Sequence, residues 1–339
     1  MYIIGINLQA ICYRNTKTTI PGWVDNIHKE QPRGYAYETD THFVHFYGRD
    51  NRFYVISPGL TVLEKKHGSL EDWVKRVFEA NHIAPMIMDV GHTKDGVWRP
   101  GLYFQEELIQ GLDITRIQQR SAEQALRVLV EKLDEILLYI EPDKAGLDSY
   151  SHKTRELLIL SCTELENQWK SFISKAGVGP INGRMFTTQD YVKLLKPLCL
   201  KEFQVKLRNY DSVPILQPFN DWDIASPTQS LFWYDAYNKT KHDRDKHFNS
   251  SKLINVMLSV AANLVLFCIQ FGPFHLLNET KTLSTIVNQT FEIEMVNCDV
   301  NRFYIPLVLL PNNTRADLLC YDSFREGHIQ RWEVDPLVI

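Results

Sequence analysis

The sequence predicts an α+β protein: a central four-helix bundle over residues 112–275, a mixed, strand-rich N-terminal domain over 1–111 and a small β-containing C-terminal extension over 276–339. Three observations carry this expectation. From His42 to Ser57, HFVHFYGRDNRFYVIS places aromatic and β-branched runs on both sides of Gly48-Arg49-Asp50-Asn51, a hairpin pattern. Near Leu112 the apolar spacing changes to steps of three and four residues, the period of an amphipathic helix. Beyond the strong stop at Gly272-Pro273, FEIEMVNCD and RFYIPLVLL read as strands, expected as an appended hairpin or the edge of a small sheet.

The elements follow in order. Ile3-Ile4-Gly5-Ile6 reads as a short opening strand. A helix is expected from Ser69 to His82: Ser69 can cap it, Glu71 and Asp72 suit its positive end, and Trp73, Val74, Val77 and Phe78 form its apolar stripe. PMIMDVG and VWRPGLYF then suggest short strands or loops. A long helix is expected from Ile114 to Ile140, with Ala122, Leu126, Leu129, Leu133, Ile136 and Ile140 on one face, stopped by Pro142 and Gly146. A second spans His152 to Ala176, with Leu158, Cys162, Leu165 and Trp169 along one side. Residues 182–218 are loop-rich, with Thr188 as the cap of one short helix and KEFQVKLRNY as a strand. Ser226-Pro227-Thr228-Gln229 has the pattern of a capping box with proline at the first helical position, so a third long helix should start there. Asn249-Ser250-Ser251 should cap a fourth, Lys252 to Phe271. No internal repeat or low-complexity block is visible.

The totals set limits. A chain of 339 residues allows two or three domains of roughly 100–200 residues. With 37 basic and 41 acidic residues and a net charge of -4, no chain-wide basic field exists, so a nucleic acid would need a local patch. Six scattered cysteines, none in a C-x-x-C pair, argue against zinc ribbons and dithiol redox chemistry and suit a reducing compartment. MYIIGINLQAICYRN lacks the basic start and long apolar block of a signal peptide. Ser259, Asn263 and Gln270 interrupt the apolar run Val256–Phe271, which reads as a buried helix rather than a membrane span. The expectation is a cytoplasmic protein with no membrane partner.

One stretch concentrates chemistry: Trp233 to Phe248, WYDAYNKTKHDRDKHF. On one continuous helix Asp235, Asn238 and His242 would share a face, Lys241 would lie beside them, and Arg244 would follow about one turn later. An imidazole among an amide and two cations suits phosphodiester cleavage without a metal. Neutral His242 could take the proton of a ribose 2′-hydroxyl, while Asn238, Lys241 and Arg244 hold the phosphate as its charge builds. The plainer alternative is a solvated helix end, where lysines and arginines favour the macrodipole. Arg155, on the second helix, could face this site or pair with a glutamate across the bundle; a solvent-exposed ion pair is the plainer reading. His42 and His45 lie three apart on a strand and would point to opposite faces, so joint metal binding is not expected. GVGPING follows a helix and lacks the G-K-[ST] ending of a phosphate loop, so a turn is expected there. No metal or cofactor is expected.

The pattern YNKTKHDR, with SHKTRELLILSCTELENQW earlier in the chain, resembles the HEPN superfamily over about residues 112–275. Members are helical bundles, many of them metal-independent ribonucleases of toxin and phage-defence systems, with an arginine, a polar residue and, a few residues on, a histidine. Asn238 and His242 match the polar residue and the histidine; Tyr237 stands where the arginine would be. His247 gives a second alignment, with Lys241 six positions ahead in place of arginine. The resemblance implies an RNA-directed protein, an endoribonuclease with His242 as base and Asp235, Tyr237, Arg155 and His247 in support. It also implies a homodimer formed through the bundle. The alternatives are a non-catalytic dimerisation or interaction scaffold, or a ligand-sensing module whose pocket lies in residues 1–110.

Overall fold

The structure is a computed structural model that describes residues 8–278, 280–310 and 317–339. The chain divides into two compact units, one built around a β-sheet and one around helices. The proposed opening strand Ile3–Ile6 lies outside the described residues.

The sheet unit takes the described residues up to Lys94, Arg99–Leu112 and those within Cys298–Asp335. Its elements begin with β1 (Gln9–Arg14), α1 (Ile27–Glu30), β2 (Arg33–Glu38), β3 (His42–Arg49), β4 (Val55–Lys65), α2 (Leu70–Phe78), β5 (Asn81–Asp89), β6 (His92–Lys94) and α3 (Gln105–Gly111). The expected hairpin is β3–β4, antiparallel, with Arg49 opposite Val55 and a register shift between Phe46 and Tyr47. A six-stranded sheet has the order β5-β1-β2-β3-β4-β9, every neighbouring pair antiparallel, where β9 is Leu318–Tyr321. Nearly every residue of β3 is buried, because both faces of the sheet are covered. On one face α2 packs Trp73, Val74, Val77 and Phe78 against Tyr13, Phe43, Tyr47 and Val62. Ser69 caps α2 as expected, its hydroxyl accepting the Asp72 amide proton. On the other face Tyr37 and Phe46 lie 6.3 Å apart, and the Tyr37 hydroxyl accepts from the Val308 amide.

The expected C-terminal β extension is divided between the two units. β9 joins the edge of the large sheet beside β4, and β10 (Glu333–Asp335) pairs in parallel with β6. Among the described residues RFYIPLVLL makes a single antiparallel bridge, Val308 to Ile329, with the Leu309 amide on His328 O and the Gln330 amide on Leu307 O, rather than a full strand. Ile305 O also accepts from the Gly91 amide and the Tyr304 amide donates to Pro100 O, which pins the segment within the sheet unit as a largely irregular strap.

The helical unit takes Asp95–Trp98, Asp113–Asn297 and Pro336–Ile339. It contains α4 (Arg116–Leu137), α5 (Lys144–Leu147), α6 (His152–Lys175), α7 (Thr188–Tyr191), β7 (Phe203–Leu207), α8 (Phe232–His242), α9 (Arg244–His247), α10 (Leu253–Phe271), α11 (Phe274–Leu277), α12 (Thr282–Thr290) and β8 (Phe291–Met295). FEIEMVNCD supplies β8, which pairs with β7 rather than with a C-terminal partner. α10 packs on α4, α6 and α8, and α6 also packs on α4 and α8. By length and composition α10 could cross a membrane, with mean hydropathy 2.0, but 94% of its apolar stretch is buried inside the protein. A helix apolar all round belongs in a core. Its polar line is buried too: Ser259 and Ser161 share a hydroxyl hydrogen bond of 2.5 Å, and Asn263 donates to the Ser161 and Ser259 carbonyls while accepting from Gln168.

Several helix starts differ from the sequence reading. α4 and α6 begin within two residues of expectation, each with a capping box, Thr115–Gln118 and Ser151–Thr154. The third long helix does not start at Pro227. Ser226–Ser230 closes as a separate turn, with the Pro227 carbonyl accepting from the Trp222 indole and Thr228 bonded to Thr188, so α8 starts only at Phe232. Thr187, not Thr188, sits at the N-cap of α7, its amide bonded to Asp190. Phe248–Ser250 is a 3₁₀ turn and Lys252 occupies the N-cap of α10.

Candidate functional site

The run from Trp233 to Phe248 is not one helix. α8 stops at His242, and Asp243 has φ -139°, ψ 79°. Its carboxylate accepts the Lys246 amide proton and its carbonyl accepts from His247, so it caps the short α9. A short acidic side chain that can bond backbone amides locally favours such a break. Arg244 therefore does not sit one helical turn beyond Lys241, and the expected single face from Asp235 to Arg244 is not formed.

What lies on α8 falls into an inner and an outer side. Tyr237 is fully buried, 0% exposed, at the position where the superfamily pattern would have arginine. Its hydroxyl donates to Glu166 at 3.1 Å, Tyr234 donates to the same carboxylate oxygen at 2.8 Å, and Lys241 Nζ donates to the Tyr237 oxygen at 2.7 Å while lying 4.9 Å from its ring centroid. Lys170 adds a weaker ion pair to Glu166 at 3.8 Å. Burial, then the Glu166 charge, drives the Tyr234 phenol far above its ordinary range. Burial also raises Tyr237, opposed by its bond from Lys241, and that bond in turn raises the Lys241 ammonium. Both phenols stay neutral and Lys241 stays charged near neutral pH. The group anchors α8 to α6; it does not leave Tyr237 accessible to a substrate.

Among the described residues Arg155 forms no ion pair with a glutamate and no hydrogen bond to His242. Its guanidinium donates to the Thr240 carbonyl at 3.0 Å. That carbonyl lies in the last turn of α8, where acceptors lack intrahelical partners and a cation meets the negative end of the macrodipole. The expected surface ion pairs of α6 are found at Glu156, 2.7 Å from Lys132.

The outer side carries His242, exposed, and Asn238, half-buried; among the described residues neither side chain has a hydrogen-bonding partner. Asp235 is paired with Lys239 at 2.5 Å and Lys246 with Asp243 at 3.2 Å, which neutralises half of the basic run. His247, half-buried, ends α9. Arg244 lies 5.9 Å from the Phe248 ring centroid. Phe248 also meets Tyr150 at 5.6 Å and His152 at 4.8 Å, both at the start of α6. The structure thus adds Tyr150, His152 and Phe248, which sequence reasoning missed. Phe248 closed the basic run and was the available signal; Tyr150 and His152 are about 100 residues away in sequence and gave none. Phe248 itself is half-buried, but Tyr150, 49% exposed against its edge, offers a ring on which a base can stack while Arg244 meets phosphate.

No metal-ligand group of three or more His, Cys, Asp or Glu occurs among the described residues. His42 and His45 are both buried. His45 stacks on Phe78 at 3.9 Å and bonds the Tyr13 hydroxyl at 2.5 Å, a structural role inside the aromatic core. Compared with models of known families, with characterised proteins and with solved structures, the chain matches none.

Proposed function

We propose that the helical unit is an RNA-directed, HEPN-like module that grips single-stranded RNA at the α8–α9 break. The observation that carries this reading is the cluster of Phe248, Tyr150, His152 and Arg244, drawn together from two chain segments just after α8 ends at the exposed His242. Tyr150 is 49% exposed, so the cluster offers a stacking surface next to cationic groups. In the finer form of the proposal His242 removes the 2′-hydroxyl proton, Arg244 neutralises the phosphate, and Asn238 orients it, giving metal-independent cleavage. A homodimer would bring a second histidine to the same strand.

One observation favours the non-catalytic form. The position of the superfamily arginine is spent on Tyr237, which is locked to Glu166 and Lys241 in the interior. Binding and cleavage are separated by one experiment. A labelled single-stranded oligoribonucleotide is titrated in chelator, with anisotropy for binding and a gel for cleavage. The full proposal expects binding weakened at least about tenfold by Phe248→Ala or Arg244→Ala, and cleavage abolished by His242→Ala with binding retained. Binding without cleavage leaves the non-catalytic RNA-binding form. No binding at low salt refutes both RNA-directed forms.

A further inference from the structure

We propose that the sheet unit carries a ligand site, separate from the RNA-directed surface, that takes a small organic amine with a compact apolar body. A cavity of about 300 Å³ opens at the end of the sheet where β1 begins, β5 ends and β2 turns into β3. That volume is at the small end of ligand pockets and holds roughly ten water-sized atoms. Val90 and the strap Leu307–Leu310 supply its apolar wall.

The polar lining is unbalanced. Asp40, in the β2–β3 turn, has no ion-pair partner among the described residues. Glu333 and His92 line the cavity beside it, paired in register across β6 and β10. His92 Nδ1 faces the Asp335 carboxylate at 3.0 Å, and the second oxygen of that carboxylate takes Lys94 at 3.0 Å. A carboxylate only accepts, so Nδ1 carries a proton towards Asp335. Nε2 lies 3.5 Å from Glu333. Two nearby lysines are engaged elsewhere, Lys94 with Asp335 and Lys66 with Glu38. Among the described residues the lining carries the Asp40 and Glu333 carboxylates, the His92 ring and the polar residues Thr39 and Gln330, with no lysine or arginine. An ammonium supplies three donors and the opposite charge, and an aliphatic ring or chain covers the leucines. An anionic ligand meets like charge, and a neutral alcohol forfeits the charge-assisted bonds.

The test uses the full chain and three probes of one shape: cyclohexylmethylamine, cyclohexylmethanol and cyclohexanecarboxylate, followed by calorimetry and thermal shift. The amine is expected to bind and raise the melting temperature. The alcohol should bind at least about tenfold more weakly, and the carboxylate not at all. Asp40→Asn, at an exposed turn residue, should weaken the amine about tenfold without changing the circular dichroism or the melting temperature of the free protein. The proposal is overturned if no probe binds, if the alcohol or carboxylate binds as tightly as the amine, or if Asp40→Asn leaves amine binding unchanged. None of these outcomes depends on RNA binding.

Discussion

Arg155 offers the sharpest test of how the α8–α9 break is held. Its guanidinium donates to the Thr240 carbonyl at 3.0 Å, closing the last turn of α8 just before His242. Replacing it by methionine keeps the apolar stem and removes the charge and the donors. A hydrogen bond to a charged group contributes about 1.5–3 kcal/mol, and a cation at a helix C-terminus about 0.3–1 kcal/mol. Against this, Arg155 Nε is buried without a partner, and losing that unsatisfied donor returns about 1 kcal/mol. The net expectation is a loss of about 2 kcal/mol. In a unit of this size that lowers the melting temperature by about 4–8 °C. Hydrogen exchange should also speed up over residues 240–247, because the turn that presents His242 loses its anchor. Thermal unfolding and exchange mass spectrometry of Arg155→Met read both effects. If the variant melts and exchanges like the parent, Arg155 is not a positioning residue. If it loses RNA affinity at unchanged stability, the arginine acts on RNA directly and the geometry argued above is wrong.

Three further outcomes are expected. Asn263→Ala removes three hydrogen bonds, two of them fully buried, and leaves a small void between α10 and α6; urea denaturation should show a loss of about 3 kcal/mol, more than a solvent-facing asparagine would cause. Burial holds the His45 imidazole well below its ordinary value, so the folded form stays neutral while the unfolded chain takes up a proton as pH falls below about 6.5. The stability it contributes is therefore present above that pH and is lost on acidification, by up to about 1.4 kcal/mol per pH unit; urea midpoints at pH 7 and 5 should differ less in His45→Phe than in the parent. Ser69→Ala removes the hydroxyl that accepts the Asp72 amide at the start of α2 and should lower stability by about 1 kcal/mol, whereas Ser69→Gly should cost only a few tenths, read from the same denaturation curves.

The sequence by itself determined the elements whose reasons are local. The β3–β4 hairpin follows from strand formers on both sides of a turn. The apolar stripe of α2 and its capping residue Ser69 can be read from adjacent residues, as can the spans of α4 and α6, because each rests on a period or a hydrogen bond over three or four positions. α10 was legible as a buried helix because polar residues too few to make an outer face interrupt its apolar run.

Tertiary structure decided whatever depended on distant partners. The Ser226-Pro227-Thr228-Gln229 signal yields a turn rather than a helix start because Trp222 and Thr188 take its bonding groups. FEIEMVNCD could not reveal that its partner, β7, is about 90 residues earlier, nor Leu318–Tyr321 that it would complete the sheet beside β4. The same holds at the candidate site. The concentration of charge and imidazole around His242 is visible in sequence. Glu166 claiming Tyr237, Arg155 holding Thr240, and Tyr150 and His152 meeting Phe248 arise only when packing closes long loops. Periodicity and capping are set by neighbours along the chain, whereas the pairing of side chains is set by which surfaces the burial of apolar area brings together.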